Sequence, residues 1–259
     1  MNTKVIGTVK KVGVLMALLL LWQLVFYLTT SVFQVWRPFM VPNPLDVIRV
    51  FGNLAGNNTL FIAISASMRR VLIGFFMSIA IGALLGLLIY RVKFLNDALK
   101  PVFLGLQTLP SICWLPFAIL WFGLNETAII FVIIIGSAFS IALAVEAAVK
   151  GVTPLFIKAG KTMGATPLKM LLYIIFPDCL PHVIVGLKQG WSFSWRALMN
   201  GEMLSATVGL GQVLMLGRDF ADINQVMCVI IVIMVLGMLV DQLFFGIIEK
   251  KMRRDRGIV

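Results

Sequence analysis

Charged residues are scarce in this sequence. Lys, Arg, Asp and Glu make up only 13% of the 259 residues, whereas 60% are hydrophobic. Soluble domains have about 25% charged and about 45–50% apolar residues. The apolar residues also come in long blocks, not in the short amphipathic pattern of a surface helix. An ordinary soluble domain is therefore excluded, and lipid is the expected solvent.

Cysteine is also scarce. Cys113, Cys179 and Cys228 are widely separated, with neither a CxxC pair nor the spacing of metal ligands. This pattern indicates neither a disulfide framework nor a metal site. No combination of nucleophile, base and orienting residue stands out, so an enzymatic function is not indicated. The sequence offers no candidate catalytic, cofactor-binding or metal-binding residue.

A phosphate-binding loop of the form GxxxxGK[ST] is absent as well. The chain therefore has no recognisable means of binding ATP itself. The net charge of +11 does not indicate nucleic acid, because the basic residues lie mainly between and beyond the apolar blocks, without interleaved aromatics.

The first apolar run lacks the small residues of a signal-peptide cleavage site. Trp22, Gln23, Phe26 and Tyr27 lie where cleavage would need small side chains, so this run is predicted to be an uncleaved span. Blocks of about 20 apolar residues predict an all-α transmembrane bundle of about six spanning helices. The predicted spans are 12–30, 71–90, 101–122, 127–149, 171–199 and 226–248. Without a long repeat or a low-complexity segment, residues 1–259 are predicted to form one domain.

The distribution of Lys and Arg predicts that both termini are cytoplasmic, because cytoplasmic loops retain positive charge during insertion. With the N-terminus inside, the cytoplasmic connections hold most of the 22 basic residues. They are Lys4, Lys10, Lys11, Arg91, Lys93, Lys100, Lys150, Lys158, Lys161, Lys169, Lys250, Lys251, Arg253, Arg254 and Arg256. The predicted location is a plasma or inner membrane, crossed several times. Residues 37–67 are predicted to be external, with a short amphipathic helix from about Pro44 to Leu54.

Small residues recur every four positions in the second span. Gly74, Ser78, Gly82 and Gly86 fall on one helical face, which lets another backbone approach closely. Packing within the chain is favoured over a dimer seam.

The longest polar connection follows the fourth span, at 150–170, and continues into the fifth. It predicts a short cytoplasmic helix from Pro154 to Met163, a break at Gly164 and a second helix start at Thr166 and Pro167. A side chain at Gly164 would clash or force a left-handed conformation. A helix connected at both ends to spanning helices can transmit the movement of a soluble partner to the membrane-spanning part of the protein.

This connection resembles the cytoplasmic loop of binding-protein-dependent ABC importer permeases, with the pattern EAA-x3-G-x9-I-x-LP. Lys158, Ala159 and Gly160 stand at the EAA positions, and Gly164 at the glycine, followed by Ala165, Thr166 and Pro167. Ile174 stands at the isoleucine, and Phe176 and Pro177 stand at LP. The departures are Lys158 for the acidic residue and Gly160 for the second alanine.

The resemblance covers about 65–259. LQTLPSICWLPFAILWFGLNE at 106–126 and GLGQVL at 209–214 are similar to the nitrate, sulfonate and taurine branch. The resemblance implies a type I importer permease whose partners are separate polypeptides. They are two cytoplasmic ATPase subunits that carry ATP and Mg, a second permease copy, and an external solute-binding protein. The implied solute is a small anion such as a sulfonate, taurine or nitrate.

Polar residues within the spans are costly in lipid and mark candidate pathways. Arg196, beside Trp191 and Trp195, is predicted either to attract an anion or to pair with Glu202. Prolines and tryptophans of the third span are predicted to bend it beside a cavity. The candidate pathway residues are Pro110, Trp114, Pro116, Trp195, Arg196 and Glu202.

Two acidic residues have simpler interpretations. Asp178 and His182 lie four residues apart on the fifth span, and a structural pair is favoured over a proton relay. The fifth span itself is predicted to be broken by Pro177, Pro181, Gly186 and Gly190. Asp241 is interpreted as a partner of nearby basic residues.

The alternative from another class is an ion-coupled secondary transporter that works without an ATPase. Such a protein should show paired broken helices in its two halves, but only one broken span is indicated. A channel should show a selectivity filter or a charged ring, and neither is evident.

Overall fold

The structure is a computed structural model that describes residues 3–37, 40–205 and 207–255, and no strand occurs in this part of the chain. The helices are α1 (Thr3–Tyr27), α2 (Pro44–Gly56), α3 (Thr59–Arg91), α4 (Lys93–Thr108), α5 (Leu115–Phe122), α6 (Glu126–Lys150), α7 (Pro154–Thr162), α8 (Pro167–Met170), α9 (Phe176–Leu204), α10 (Leu210–Asp219), α11 (Ile223–Val240) and α12 (Gly246–Asp255). The all-α class is confirmed.

Local sequence explains where several helices begin. Asn125 accepts hydrogen bonds from the N–H groups of Thr127 and Ala128 at the start of α6. Asp222 accepts in the same way at the start of α11, and Asn43 precedes the proline that opens α2. Each side chain satisfies backbone donors that the first helical turn leaves free.

The centre of the molecule is a layer in which α6 lies between α3 and α9. The small residues of α3 make the close approach possible, since a Cβ added at Gly82 or Gly86 would lie 2.8 or 2.5 Å from a backbone oxygen of α6. Ser78 meets the Ser137 hydroxyl at 2.8 Å, and Gly74 lies against Ile133. The predicted small-residue face thus packs within the chain.

Within the described residues, four helices are long and apolar enough to cross a membrane. They are Thr59–Arg91, Glu126–Lys150, Pro167–Leu204 and Ile223–Met252. The pair formed by Lys93–Thr108 and Ser111–Phe122 would be a fifth span, and Met16–Val32 is a shorter apolar helix. All six predicted apolar segments are helical, but only four are unbroken helices of spanning length. The predicted cytoplasmic termini, 1–2 and 256–259, lie outside the described residues.

The bend predicted for the third span is confirmed. The third predicted span bends by 101° between α4 and the short turn at Ser111–Trp114. Leu109 is extended (ψ 129°), as expected for a residue that precedes a proline. Pro116 does not contribute to this bend, because it sits in the first turn of α5.

The fifth predicted span is continuous, which corrects the expectation of a broken helix. Pro177 lies in the first turn of α9, directly after a π-helical turn at Leu171–Ile175. The π-helical turn interrupts the regular hydrogen-bond pattern just before Pro177, so the helix accommodates the missing N–H without a break. Gly186 and Gly190 do not break α9 either, since they let it pack closely on Ala144 and Ile141 of α6.

Candidate functional site

The predicted cytoplasmic loop folds as the short helix α7, followed by a turn and α8. Thr153 precedes α7 in an extended conformation, and its N–H donates to Asp178 Oδ2 at 3.2 Å. Pro154 occupies the first turn, where a backbone N–H is not needed. The N-terminal end of α7 is therefore tied to the beginning of α9.

The end of α7 depends on Gly164, whose φ of +73° lies in the left-handed region. The Ala165 N–H donates to Gly160 O at 3.0 Å and so closes the turn. A Cβ added at Gly164 would meet nothing within 4 Å. The expected clash is therefore absent within this chain, and the requirement for glycine is conformational.

The residues at the motif positions meet in one cleft. A Cβ at Gly160 would overlap the side chain of Ile174 and lie 3.0 Å from that of Met170, which explains why glycine replaces the second alanine. Ala159, Gly160, Ile174 and Pro177 line a cleft of about 390 Å³. Thr166 caps α8 by accepting from the Lys169 N–H at 3.4 Å, with Pro167 in the first turn. The spacing of the motif thus corresponds to one folded unit.

The outer side of this unit, here called the α7 surface, is apolar and basic. It consists of the exposed side chains of Leu155, Phe156, Met163, Leu168, Lys158, Lys161 and Lys169. None of its members is acidic. A soluble protein surface would not expose this many large apolar side chains together without a partner.

A second cavity, of about 310 Å³, lies where the third predicted span bends. Three of the predicted pathway residues line it: Pro110, Trp114 and Arg196. Asn200 lies beside them and donates to Ser111 Oγ at 2.8 Å. The Arg196 guanidinium lies over the ring of Phe193, at 4.6 Å, and not over a tryptophan.

The remaining pathway candidates lie elsewhere. Pro116 and Trp195 are not among the residues that line the cavity, and Trp195 stacks on Trp191 and contacts Gly237 of α11. The predicted pairing of Arg196 with Glu202 is wrong. Glu202 is fully buried and binds Arg70 at 2.7 Å, because α3 brings that guanidinium directly to it.

Arg70 is the buried charged residue whose pairing sequence reasoning missed. It joins Glu202 of α9 to Glu126 of α6, with distances of 2.7 and 2.8 Å. The Ser67 hydroxyl, one turn away on α3, donates to the Glu202 carboxylate. The sequence does indicate that Arg70 needs a counter-charge, because it borders an apolar span. It does not indicate which residue provides that charge, because Glu202 is 132 residues away.

The GLGQVL segment closes around the same carboxylate. The Gly211 N–H donates to Glu202 Oε2 at 3.0 Å, and the Leu210 N–H donates to Ser67 Oγ at 2.9 Å. A Cβ at Gly209 or Gly211 would lie 2.5 Å from Glu202. The glycines therefore allow the start of α10 to cover the buried ion pair.

The other charged candidates have local partners. Asp241 binds Lys188 at 3.3 Å, as interpreted from the sequence. Asp178 accepts from the Thr153 N–H, and no hydrogen bond joins it to His182. Across the described residues, no group of three or more His, Cys, Asp and Glu is placed to hold a metal ion.

Comparison with known proteins identifies a single family. Residues 78–254 match the model of the binding-protein-dependent transport system inner membrane component. The taurine transport system permease protein of Escherichia coli is 27% identical over 89% of this chain and 84% of its own. A nitrate import permease protein of Synechocystis is 31% identical over 80% of this chain and 74% of its own.

Solved structures show the same fold. The inward-facing MetNI methionine ABC transporter has a chain that superposes with a TM-score of 0.63 at 21% identity, covering 74% of this chain and 95% of that one. A chain of an amino acid ABC transporter superposes with a TM-score of 0.59 at 16% identity, covering 78% and 97%. The secondary-transporter alternative receives no support from these matches.

Proposed function

Because this chain belongs to the family of binding-protein-dependent inner membrane components of ABC importers, we propose that α7 couples it to a separate ATPase subunit. The observation that carries the proposal is the motif unit, in which α7, the Gly164 turn and the cleft present one exposed apolar and basic surface. Such a surface is suited to a groove on a soluble partner.

The partner must supply the energy, since the sequence has no phosphate-binding loop. The proposed assembly has two ATPase subunits, which hold ATP and Mg, and two copies of this permease. An external binding protein delivers the solute. Lys158 occupies the position where the family pattern has an acidic residue, so the facing groove of this ATPase should carry a carboxylate.

The proposed orientation places α7 in the cytoplasm. The supporting observation is the excess of Lys and Arg in the connections on that side. The solute is proposed to be a small anion, because relatives named for taurine and nitrate match most of the chain.

A pair of substitutions at Gly164 tests the coupling role. Valine strongly disfavours φ near +73°, whereas asparagine tolerates it. Holding valine in the docking conformation costs about 1–2 kcal/mol, which should weaken ATPase association about five- to thirtyfold. Gly164→Asn is the matched control and should change association by about twofold or less. Co-purification with the ATPase and solute-stimulated ATP hydrolysis are the measurements.

Lys158→Glu adds an electrostatic test on the same surface. Reversing an exposed charge leaves the fold intact but opposes the expected carboxylate, so association should fall and its salt dependence should change. If Gly164→Val and Lys158→Glu both retain wild-type association and coupled hydrolysis, α7 is only a solvated basic loop.

A further inference from the structure

The cavity beside Arg196 lies near the middle of α6, where Gly136 lines it. Gly136 of α6 packs against Ala197, the neighbour of Arg196, and against Ser111, with distances of 3.1 and 3.4 Å from an ideal Cβ. Gly136 is ten residues from Glu126 and ten from Glu146, the charged residues near the two ends of α6. At 1.5 Å per residue, each of these two glutamates is about 15 Å from Gly136 along α6, which corresponds to the middle of a hydrocarbon core of about 30 Å.

Arg196 carries its charge at this depth without a carboxylate. Its Nε donates to Ser192 O at 3.1 Å, and its ring contact is with Phe193. Its side chain is exposed to the cavity, and no ion pair to it occurs among the described residues. A cation at mid-membrane is costly unless water or a negative charge accompanies it.

Among the described residues, no carboxylate pairs with Arg196. The sequence has 11 acidic residues. They are Asp46, Asp97, Glu126, Glu146, Asp178, Glu202, Asp219, Asp222, Asp241, Glu249 and Asp255. Glu202 comes nearest along α9, and its carboxylate already binds Arg70, Ser67 and the Gly211 N–H. Asp241, four residues beyond the Gly237 that contacts Trp195, binds Lys188.

The neutral lining of the cavity suits an oxyanion. Ser111 Oγ accepts from Asn200 Nδ2, so its own O–H is left to donate. Gln107 adds an amide group at the bend after α4, whereas the Thr108 hydroxyl already donates to Gly105 O at 2.7 Å. The volume of about 310 Å³ is at the small end of the usual range for ligand pockets, about 300–1,000 Å³.

We infer that this cavity is a mid-membrane binding site for a small oxyanion, held by Arg196 with Ser111 and Asn200. The inference rests on the proposed function, since it names the class of solute and its place in the permease. A mobile anion supplies the charge that no described carboxylate provides to Arg196. A transported anion can leave the site again, which frees Arg196 for the next one. A carboxylate of the protein would stay paired with Arg196 and would block anion binding.

The test measures anion-dependent thermal stability of the permease in lipid nanodiscs, together with its co-purified ATPase. Sodium nitrate and sodium methanesulfonate are titrated against sodium chloride at constant ionic strength. The oxyanions should raise the melting temperature of the wild type, and Arg196→Gln should raise the half-saturating concentration about tenfold or more. Arg196→Lys should fall between them, because it keeps the charge and loses the planar fork.

Lys188→Gln is the matched control. It removes a positive charge from the same helix, but Lys188 binds Asp241 and Glu249 and does not line the cavity. Its anion response should equal that of the wild type. An unchanged response in Arg196→Gln overturns the inference, as does an equal loss in Lys188→Gln, which would reflect net charge alone.

If Arg196→Gln does not assemble, two other variants test the oxyanion site. Ser111→Ala and Asn200→Leu keep the arginine and should weaken oxyanion binding several-fold, and unchanged binding in both overturns the inference. ATPase co-purification distinguishes the two proposals. Normal association with no oxyanion response refutes the site alone, whereas an oxyanion response without any associated ATPase refutes the coupling role alone.

Discussion

Removing the Glu202 carboxylate should destabilise the permease far more than removing another buried carboxylate. Glu202 has no exposed surface, and its partner Arg70 is only 2% exposed. In Glu202→Ala the Arg70 guanidinium would lose one of its two carboxylates and could not turn to water. The Gly211 N–H would lose its acceptor at the same time.

The expected magnitude follows from this burial. Breaking a buried ion pair by deleting one partner costs about 3–5 kcal/mol, which corresponds to a melting temperature lower by roughly 6–20 °C for a chain of this size. Glu202→Gln keeps the shape and an accepting oxygen, so its cost should be smaller. The assay is thermal unfolding of the purified permease in detergent, followed by the loss of monodisperse protein.

Glu146→Ala is the matched comparison. Glu146 is equally buried, at 1% exposure, but its partner Lys100 is 34% exposed and can move its ammonium group to solvent. The cost should therefore be clearly lower than that of Glu202→Ala. The Arg70→Ala and Glu202→Ala changes should also be non-additive, since they remove one shared interaction.

Two results would refute this reasoning. One is an equal loss of stability in Glu202→Ala and Glu146→Ala, which would mean that burial of the partner does not matter. The other is simple additivity of the Arg70 and Glu202 substitutions, which would mean that the 2.7 Å contact contributes nothing of its own.

Further predictions concern helix packing and orientation. Gly86→Ala should lower the melting temperature, because its Cβ would lie 2.5 Å from Ala142 O, whereas Gly52→Ala, with nothing within 4 Å, should not. Equal effects would show that the α3 and α6 contact is not tight. Alkaline phosphatase, which is active only outside the cytoplasm, should be inactive when fused after Lys161 and active when fused after Asn57. The reverse activities would overturn the orientation.

Much of the fold was predictable because its causes are local. Apolar length predicted the helical segments, and the residues around Pro154, Gly164 and Pro167 predicted α7, its end and the start of α8. Each of these features depends on a capping side chain, a proline in a first turn or a left-handed backbone, all of which act within a few residues.

The prolines show where local reasoning fails. Pro110 and Pro177 both lie in predicted spans, yet only the first accompanies a sharp bend. Pro177 falls in the first turn of α9, directly after a π-helical turn. Whether a proline bends a span depends on how the surrounding backbone accommodates its missing N–H, and the residue type alone does not determine that.

The sequence by itself determined that the chain lies in a membrane, where its helices fall and which segment resembles a coupling loop. Only the tertiary structure decided the partners of the buried charges. Glu202 is six residues from Arg196 along the chain but binds Arg70, 132 residues away. Arg196 therefore remains without a carboxylate, in the cavity at the Pro110 bend. The physical reason is that a buried charge pairs with whatever the packed helices bring within hydrogen-bond distance, and neither the residue types nor their spacing encode that distance.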